Sequence, residues 1–431
     1  MSNESRDENS CVSVDSDETN TEGVVHSCIP GSEALRPCNS VTSLPTVCSA
    51  NKYELCKKNY LIGSTAGGAG AMLGSRELNR IFPSKSVWVH AVTWNMSNPK
   101  QQQYPDDLSE LFFSSPSNEV ASIYLVCLQE IPNEKQELLI RLQASIGPRH
   151  VLFSYAIHGS LAVLVFLARE LIWYTSVPQS TGVTTRAAVK TKGAAGICFM
   201  LFGTSMLFLS CHFKAHTKNL HLRVRDYEQV VANLNLPRVG LTKGYRQKGR
   251  ESLDRFDVIF WAGDMNFRIQ HPRHIVENLL TTERTNSTYD NLLTADELLI
   301  SQAEGRVFPR FHEGRITFPP TYKFDLNSDT YDSSEKRRTP SYTDRILFMS
   351  QKKGTVVCLH YDMIPAIRTS DHRAVYGFYS LKLKAGCDNV ALAAGSFHRD
   401  IYIAGNQRRA RRFDPICLPK SSSKTRVCSL Q

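Results

Sequence analysis

At 431 residues the chain exceeds what one hydrophobic core usually supports, so it holds one large α/β domain with flexible ends, or two smaller domains. An apolar fraction of 42% with 9% aromatics excludes wholesale disorder, and twelve scattered cysteines without a CxxC pair exclude a disulfide framework. The formal charge of +10 favours acidic partners, whether nucleic acid, anionic membrane or phosphorylated small molecules, and does not choose among them.

Residues 1–75 are expected to form a disordered tail and Gly-rich lead-in. The first fifty are rich in Ser, Asp, Glu, Asn and Thr and hold too few large apolar residues to offset ordering entropy. Their acidic start is unlike a signal peptide, so a reducing, cytoplasmic setting is expected. A short helix over Arg76–Ile81 precedes the first strand. From Val87 onward, short apolar strands alternate with polar or amphipathic segments: VWVHAVTW, IYLVCLQEI, LAVLVFLA, ICFMLF and MLFLSCHF, then a helix over Asn219–Asn233.

The uncharged run Gly193 to Cys211 is long enough to span a bilayer. Phe202-Gly203-Thr204-Ser205 is turn chemistry, however, and splits the run into two buried adjacent strands. The basic insert Thr242 to Ser252 is expected to be a mobile loop. Strands continue with DVIFWAGDMNF, RILFMS, TVVCLHY and AVYGFYSLKL, and helices are expected over Ile275–Leu280 and Asp296–Glu304. Hairpin and helical connections together predict mixed sheets covered by helices, with the folded domain at 76–385 and a tail at 386–431.

Several strands end in a polar residue that a buried strand does not need: Asn95 after AVTW, Glu130 after VCLQ, His212 after FLSC, Asp264 and Asn266 after IFWAG. Carboxylates and amides gathered at one sheet edge suit a hard cation such as magnesium, which takes oxygen ligands and keeps waters for substrate. Farther on, Asp371 and His372 precede a strand and Asp344 begins another. Asp344 is placed to orient the His372 imidazole toward a phosphoryl oxygen. Tyr322 and Lys323 follow Pro319-Pro320, which fixes backbone direction, and Lys336 lies in the basic block Lys336-Arg337-Arg338; these suit phosphate contact.

The stretches Phe260 to Arg268, Pro320-Thr321-Tyr322-Lys323 and Arg338 to Arg345 resemble the inositol polyphosphate 5-phosphatases of the endonuclease/exonuclease/phosphatase superfamily, and among them the prenylated, phosphoinositide-selective E type. The resemblance runs from about Val87 to Leu383. It implies a DNase I-like fold, two mixed sheets flanked by helices, in a monomeric enzyme. It further implies Mg2+ held by Glu130 and Asn95, Asp264 as general base positioned by Asn266, and His372, oriented by Asp344, with His212 donating to phosphoryl oxygens. Asp371 is implied near the metal, and Tyr322, Lys323 and Lys336 would grip a neighbouring 4-phosphate.

The chain ends Cys428-Ser429-Leu430-Gln431, a farnesylation-type box at Cys428 behind a basic stretch that includes Arg408, Arg409, Arg411, Arg412, Lys420, Lys424 and Arg426. The expected setting is therefore the cytoplasmic face of membranes, at the primary cilium or Golgi, with the 4,5-bisphosphate or 3,4,5-trisphosphate lipid as substrate and no nucleic acid. Three rivals stand beside it: a 5-phosphatase of soluble inositol phosphates, a nuclease sharing the Gly263-to-Asn266 motif and the Asp371-His372 pair, and an inactive lipid-binding module.

Overall fold

The computed structural model describes residues 72–99, 104–116, 119–186, 191–236, 252–286, 288–387 and 390–413. Most of the expected N-terminal tail and lead-in, most of the basic insert and Cys428 lie outside the described residues. In chain order the strands are β1 (Ser86–Asn95), β2 (Ile123–Gln129), β3 (His150–His158), β4 (Leu161–Ala168), β5 (Gln179–Thr184) and β6 (Gly193–Leu201). They continue with β7 (Thr204–His212), β8 (Val258–Asp264), β9 (His312–Glu313), β10 (Asp344–Ser350), β11 (Val356–Ile364) and β12 (Ala374–Lys382). The longer helices are α1 (Ser75–Ile81), α2 (Lys135–Ile146), α3 (Leu220–Asn233), α4 (Arg273–Asn286), α5 (Glu297–Ala303) and α6 (Arg399–Phe413).

The strands form two six-stranded sheets, ordered β11-β12-β1-β2-β4-β3 and β5-β6-β7-β8-β10-β9. Each sheet has one parallel pair, β1 with β2 and β7 with β8, and is otherwise antiparallel. The central strands are apolar on both faces because both faces are covered. In β2, Leu125 and Cys127 enter the layer between the sheets, where Phe208, Phe260 and Ile346 meet them. Val126 and Leu128 point the other way and pack with Leu138 and Leu142 of α2. On the second sheet Trp261 and Leu209 face outward against Val230 of α3 and Leu298 of α5. This is the expected DNase I-like sandwich.

The apolar run from Gly193 to Cys211 is a hairpin, with Gly193 opposite His212 and Leu201 opposite Thr204 across the turn. No helix among the described residues is long and apolar enough to cross a membrane. The α6 helix lies within the segment expected to be a tail. Its Arg408 donates to Glu137 of α2 at 2.6 and 3.1 Å, Arg412 pairs with Asp106 at 2.6 Å, and Arg409 donates to the Ala144 carbonyl at 3.1 Å. Three arginines of the basic stretch are thus occupied by the protein itself.

Candidate active site

Strand register builds the site. Parallel pairing of β7 with β8 sets His212 beside Asp264, and antiparallel pairing of β10 with β8 sets Asp344 on the other side of Asp264. Gly263, immediately before, is required: its φ is +152°, and a Cβ there would lie 2.1 Å from the Cys211 carbonyl oxygen. In the facing sheet, Asn95 and Gln129 are paired at the ends of β1 and β2, and Glu130 follows with φ +49°. The strand ends of both sheets therefore meet along one seam.

Across that seam Asn95 Nδ2 donates to Asp264 Oδ2 at 2.9 Å. His212 Nε2 lies 3.1 Å from the same oxygen and 3.9 Å from Glu130 Oε1. Asp264 Oδ1 accepts from the Asn266 backbone at 3.0 Å, and the Asn266 amide donates to the Phe213 carbonyl at 3.1 Å. Asn266, like Glu130, has positive φ, a strain that a hydrogen-bonded site can hold in place.

A second cluster adjoins the first. His372 Nδ1 lies 2.9 Å from Asp344 Oδ2, which also accepts from Thr321 and Thr343 at 2.8 Å each. Ser370 receives the His372 backbone N–H at 3.1 Å and donates to the Asn95 carbonyl at 2.6 Å, fixing the loop that carries the imidazole to β1. The Tyr322 ring packs 4.5 Å from that of His372, and Lys323 Nζ donates to Asp371 at 2.6 Å. Asp264, Asp344 and His372 offer ligand atoms within 4.8 Å of one another, a group with the composition of a metal site.

Burial and charge separate the two histidines. Burial alone would lower His372, but Asp344 above all, with Asp264 and Asp371, pushes it up to about 9, so it is an imidazolium at neutral pH. Burial and the neighbouring Lys192 ammonium outweigh Asp264 at His212 and push its pKa down. Asp264 would be raised by burial, yet His212, His372 and Lys192 hold it well below the usual carboxylate range. Asp371 is likewise lowered against burial, by His372 and Lys323.

The structure thus brings together Asn95, Glu130, His212, Asp264, Asn266, Asp344 and His372, with Asp371, Tyr322 and Lys323 along the adjoining edge. Lys336 is exposed on the loop after β9, with no ion pair among the described residues. Two site residues had no assigned role in the sequence. Lys192 contacts His212 Nε2, a nitrogen that cannot accept from Lys192 and donate to Asp264 at once, so these three groups titrate together. The sequence carries no signal for it, because Lys192 reaches His212 only through the pairing of β6 with β7, which sets the next residue, Gly193, opposite His212. Arg268 grips Asn266 Oδ1 and stacks 4.4 Å over the Tyr322 ring, linking the two clusters.

Phosphatidylinositol polyphosphate 5-phosphatase type IV of Homo sapiens is 39% identical over 401 residues, covering 92% of this chain and 61% of the relative. The chain therefore spans about three fifths of that relative's length. Type IV inositol polyphosphate 5-phosphatase 11 of Arabidopsis thaliana is 30% identical over 352 residues, covering 78% of this chain and 96% of that one. Among solved structures, the inositol polyphosphate 5-phosphatase domain of SPsynaptojanin, in complex with inositol (1,4)-bisphosphate and calcium ion, superposes with TM-score 0.60 and 25% identity over 79% of this chain and 96% of its own. A Cimex nitrophorin in its ferrous NO complex also shares the fold, with TM-score 0.53, 24% identity and coverage of 69% and 99%, so the fold alone does not name the chemistry. Residues 92–378, which hold every strand-end residue described above, match endonuclease/exonuclease/phosphatase family 2, and the chain belongs to that family.

Proposed function

We propose that the chain is a magnesium-dependent phosphatase that removes the 5-phosphate of phosphatidylinositol 4,5-bisphosphate, 3,4,5-trisphosphate or both at a membrane surface. The observation that carries it is a buried Asp264, held well below the usual carboxylate range and flanked by a cationic His372, at a seam where oxygen donors converge, in a chain whose relatives are named for 5-phosphatase activity.

The donor set fits a hard cation. Glu130 is partly exposed, its carboxylate approached no closer than 3.9 Å by His212, and the Asn95 side-chain oxygen Oδ1 accepts the Ser97 N–H at 3.0 Å and no other donor among the described residues. Asp344 fits less well, because two threonine hydroxyls and His372 already occupy its carboxylate. Glu130 and Asn95 would therefore hold Mg2+, which when bound neutralises charge developing on the phosphoryl group.

The chain's own residues do the rest. Asp264 takes a proton from the water attacking phosphorus, the bond from phosphorus to the inositol 5-oxygen breaks in line, and that oxygen takes a proton from solvent to leave as the hydroxyl. Asn266 fixes that carboxylate through its backbone N–H. His372, held by Asp344, and His212 donate to phosphoryl oxygens, whose charge grows as the transition state forms. Tyr322, Lys323 and Lys336 would hold the 4-phosphate, so that binding of the unreacting group places the reacting one.

Phosphate release from vesicles containing phosphatidylinositol 4,5-bisphosphate, with magnesium or with chelator, tests the reading. Asp264→Asn should lower kcat by about 10³-fold or more while vesicle binding persists. Release from a soluble inositol trisphosphate at equal efficiency would favour the soluble-substrate rival, and DNA nicking would favour the nuclease. A farnesyl anchor on Cys428 belongs to the same proposal: Cys428→Ser should move the protein from the membrane to the soluble fraction of a lysate and leave turnover of a short-chain substrate unchanged.

A further inference from the structure

At the opposite end of the sandwich, the strands begin and end around a hollow of about 480 Å³. Five lysines line it: Lys85 before β1, Lys352 and Lys353 in the turn between β10 and β11, and Lys382 and Lys384 at the exit of β12. The one acidic residue in its wall is Asp257.

That carboxylate is already committed. Its Oδ2 accepts from the Ser205 N–H and hydroxyl at 2.9 Å each, and its Oδ1 accepts from Lys384 Nζ at 2.6 Å. The other four lysines have no ion pair among the described residues and are exposed at the mouth. Backbone on both sides of the hollow is nonetheless held. Leu383 N–H donates to the Lys85 carbonyl at 2.7 Å, Lys382 N–H to the Thr355 carbonyl at 2.8 Å, and Gly203 N–H to the Lys384 carbonyl at 2.8 Å. Leu383 is buried, so Lys382 and Lys384 emerge on the same side of the strand. Four unpaired ammonium groups carried around one concavity repel each other, and an anion that enters relieves the repulsion.

We propose that this hollow is a second anion site, taking a small molecule or headgroup that carries two or more phosphate groups. Its volume suits a phosphorylated ring. Lysines serve as point charges that adapt to several phosphates without demanding one geometry. The site is separate from the catalytic seam. Asp257 precedes β8 and Asp264 ends it, seven residues on, so the two lie roughly 23 Å apart at about 3.3 Å per residue. Because they sit at opposite ends of the same strands, one flat membrane cannot serve both, and a bound anion here leaves the catalytic seam free. The inference does not rest on the reaction proposed above.

The experiment uses the full chain and the triple variant Lys352→Ala/Lys353→Ala/Lys382→Ala, with Lys323→Ala as the control for the catalytic seam. Calorimetric titration with inositol hexakisphosphate measures soluble binding, and flotation with vesicles containing phosphatidylinositol 4,5-bisphosphate measures lipid binding. The triple variant should keep the wild-type melting temperature and phosphate release, and lose one class of binding site by about tenfold or more in affinity. Lys323→Ala should retain that class. Loss in the titration assigns the anion to a soluble polyphosphate, and loss only in flotation assigns it to a lipid headgroup. Unchanged binding in both assays, at unchanged stability, overturns the site.

Discussion

At the scale of single residues, the proposed chemistry turns on the division between His212 and His372. Both are buried at the same seam, yet one faces an ammonium and the other a carboxylate triply bound by Thr321, Thr343 and the imidazole itself. His372 has a folded pKa of about 9, above its unfolded value of about 6.5. The sign follows from linkage. Its stabilising contribution is fully present below about pH 6.5 and is lost as pH rises through 9. Activity that needs the imidazolium should fall over the same alkaline range. Asp344→Asn removes the main charge that raises His372, so the alkaline limb of the pH–rate profile should move toward neutrality and kcat should drop by about 10²-fold or more. An unmoved limb would assign the titration to another group.

Lys323 shows how structure refines a residue-level expectation. The sequence suggests a free phosphate ligand, whereas its amine is held by Asp371 at 2.6 Å. Substrate must therefore displace or share that carboxylate. Lys323→Ala should raise KM by about tenfold with a smaller change in kcat, read from steady-state kinetics on vesicles of fixed composition. Asp371→Asn should raise KM less, because the lysine survives.

At the scale of elements, β1, β2 and β3 bury two histidines that have no part in the proposed chemistry. His90 lies 2.9 Å from the Leu111 carbonyl and His150 lies 2.8 Å from the Ala121 carbonyl, with the Tyr124 ring between them at 5.3 and 5.0 Å. Burial pushes each down to about 4. Below about pH 6.5 the unfolded chain takes up protons that the folded one refuses, so stability falls from pH 6.5 toward 4, by about 1.4 kcal/mol per pH unit per histidine. Melting temperature should fall steeply between about pH 6 and 4, and His90→Gln should flatten that slope. Among the elements the sequence did not announce, which include β3, β9 and α6, two lack the expected periodicity for different reasons. Strand β5 is a polar sheet edge, and α2 is buried around most of its circumference, so neither shows a clean period.

At the scale of the whole molecule, the site exists because two sheets pack face to face. Asn95 belongs to one sheet and Asp264 to the other, and the 2.9 Å bond between them spans the layer that Phe208 and Phe260 fill. Phe260→Ala should cost about 3–5 kcal/mol in denaturant unfolding by opening a cavity there. Much of this was legible in advance. The strands from β6 to β8 and from β10 to β12, the hairpin at Gly203 and the polar strand ends all follow from apolar runs broken by turn residues. Asn95, Glu130, His212, Asp264, Asp344 and His372 stand out because a buried strand has no structural use for them. What the linear order could not supply was register. Lys192 and Arg268 enter the site only because β6 pairs with β7 and because Tyr322 folds back over the strand end. The lysine hollow gathers residues from 85 to 384 for the same reason. Local patterning by itself determined which residues are strands and which polar groups are surplus to them, since periodicity and turn chemistry act over a few residues. Only the tertiary structure decided which surplus groups meet and what charge each carries, because distance and burial between remote segments set both.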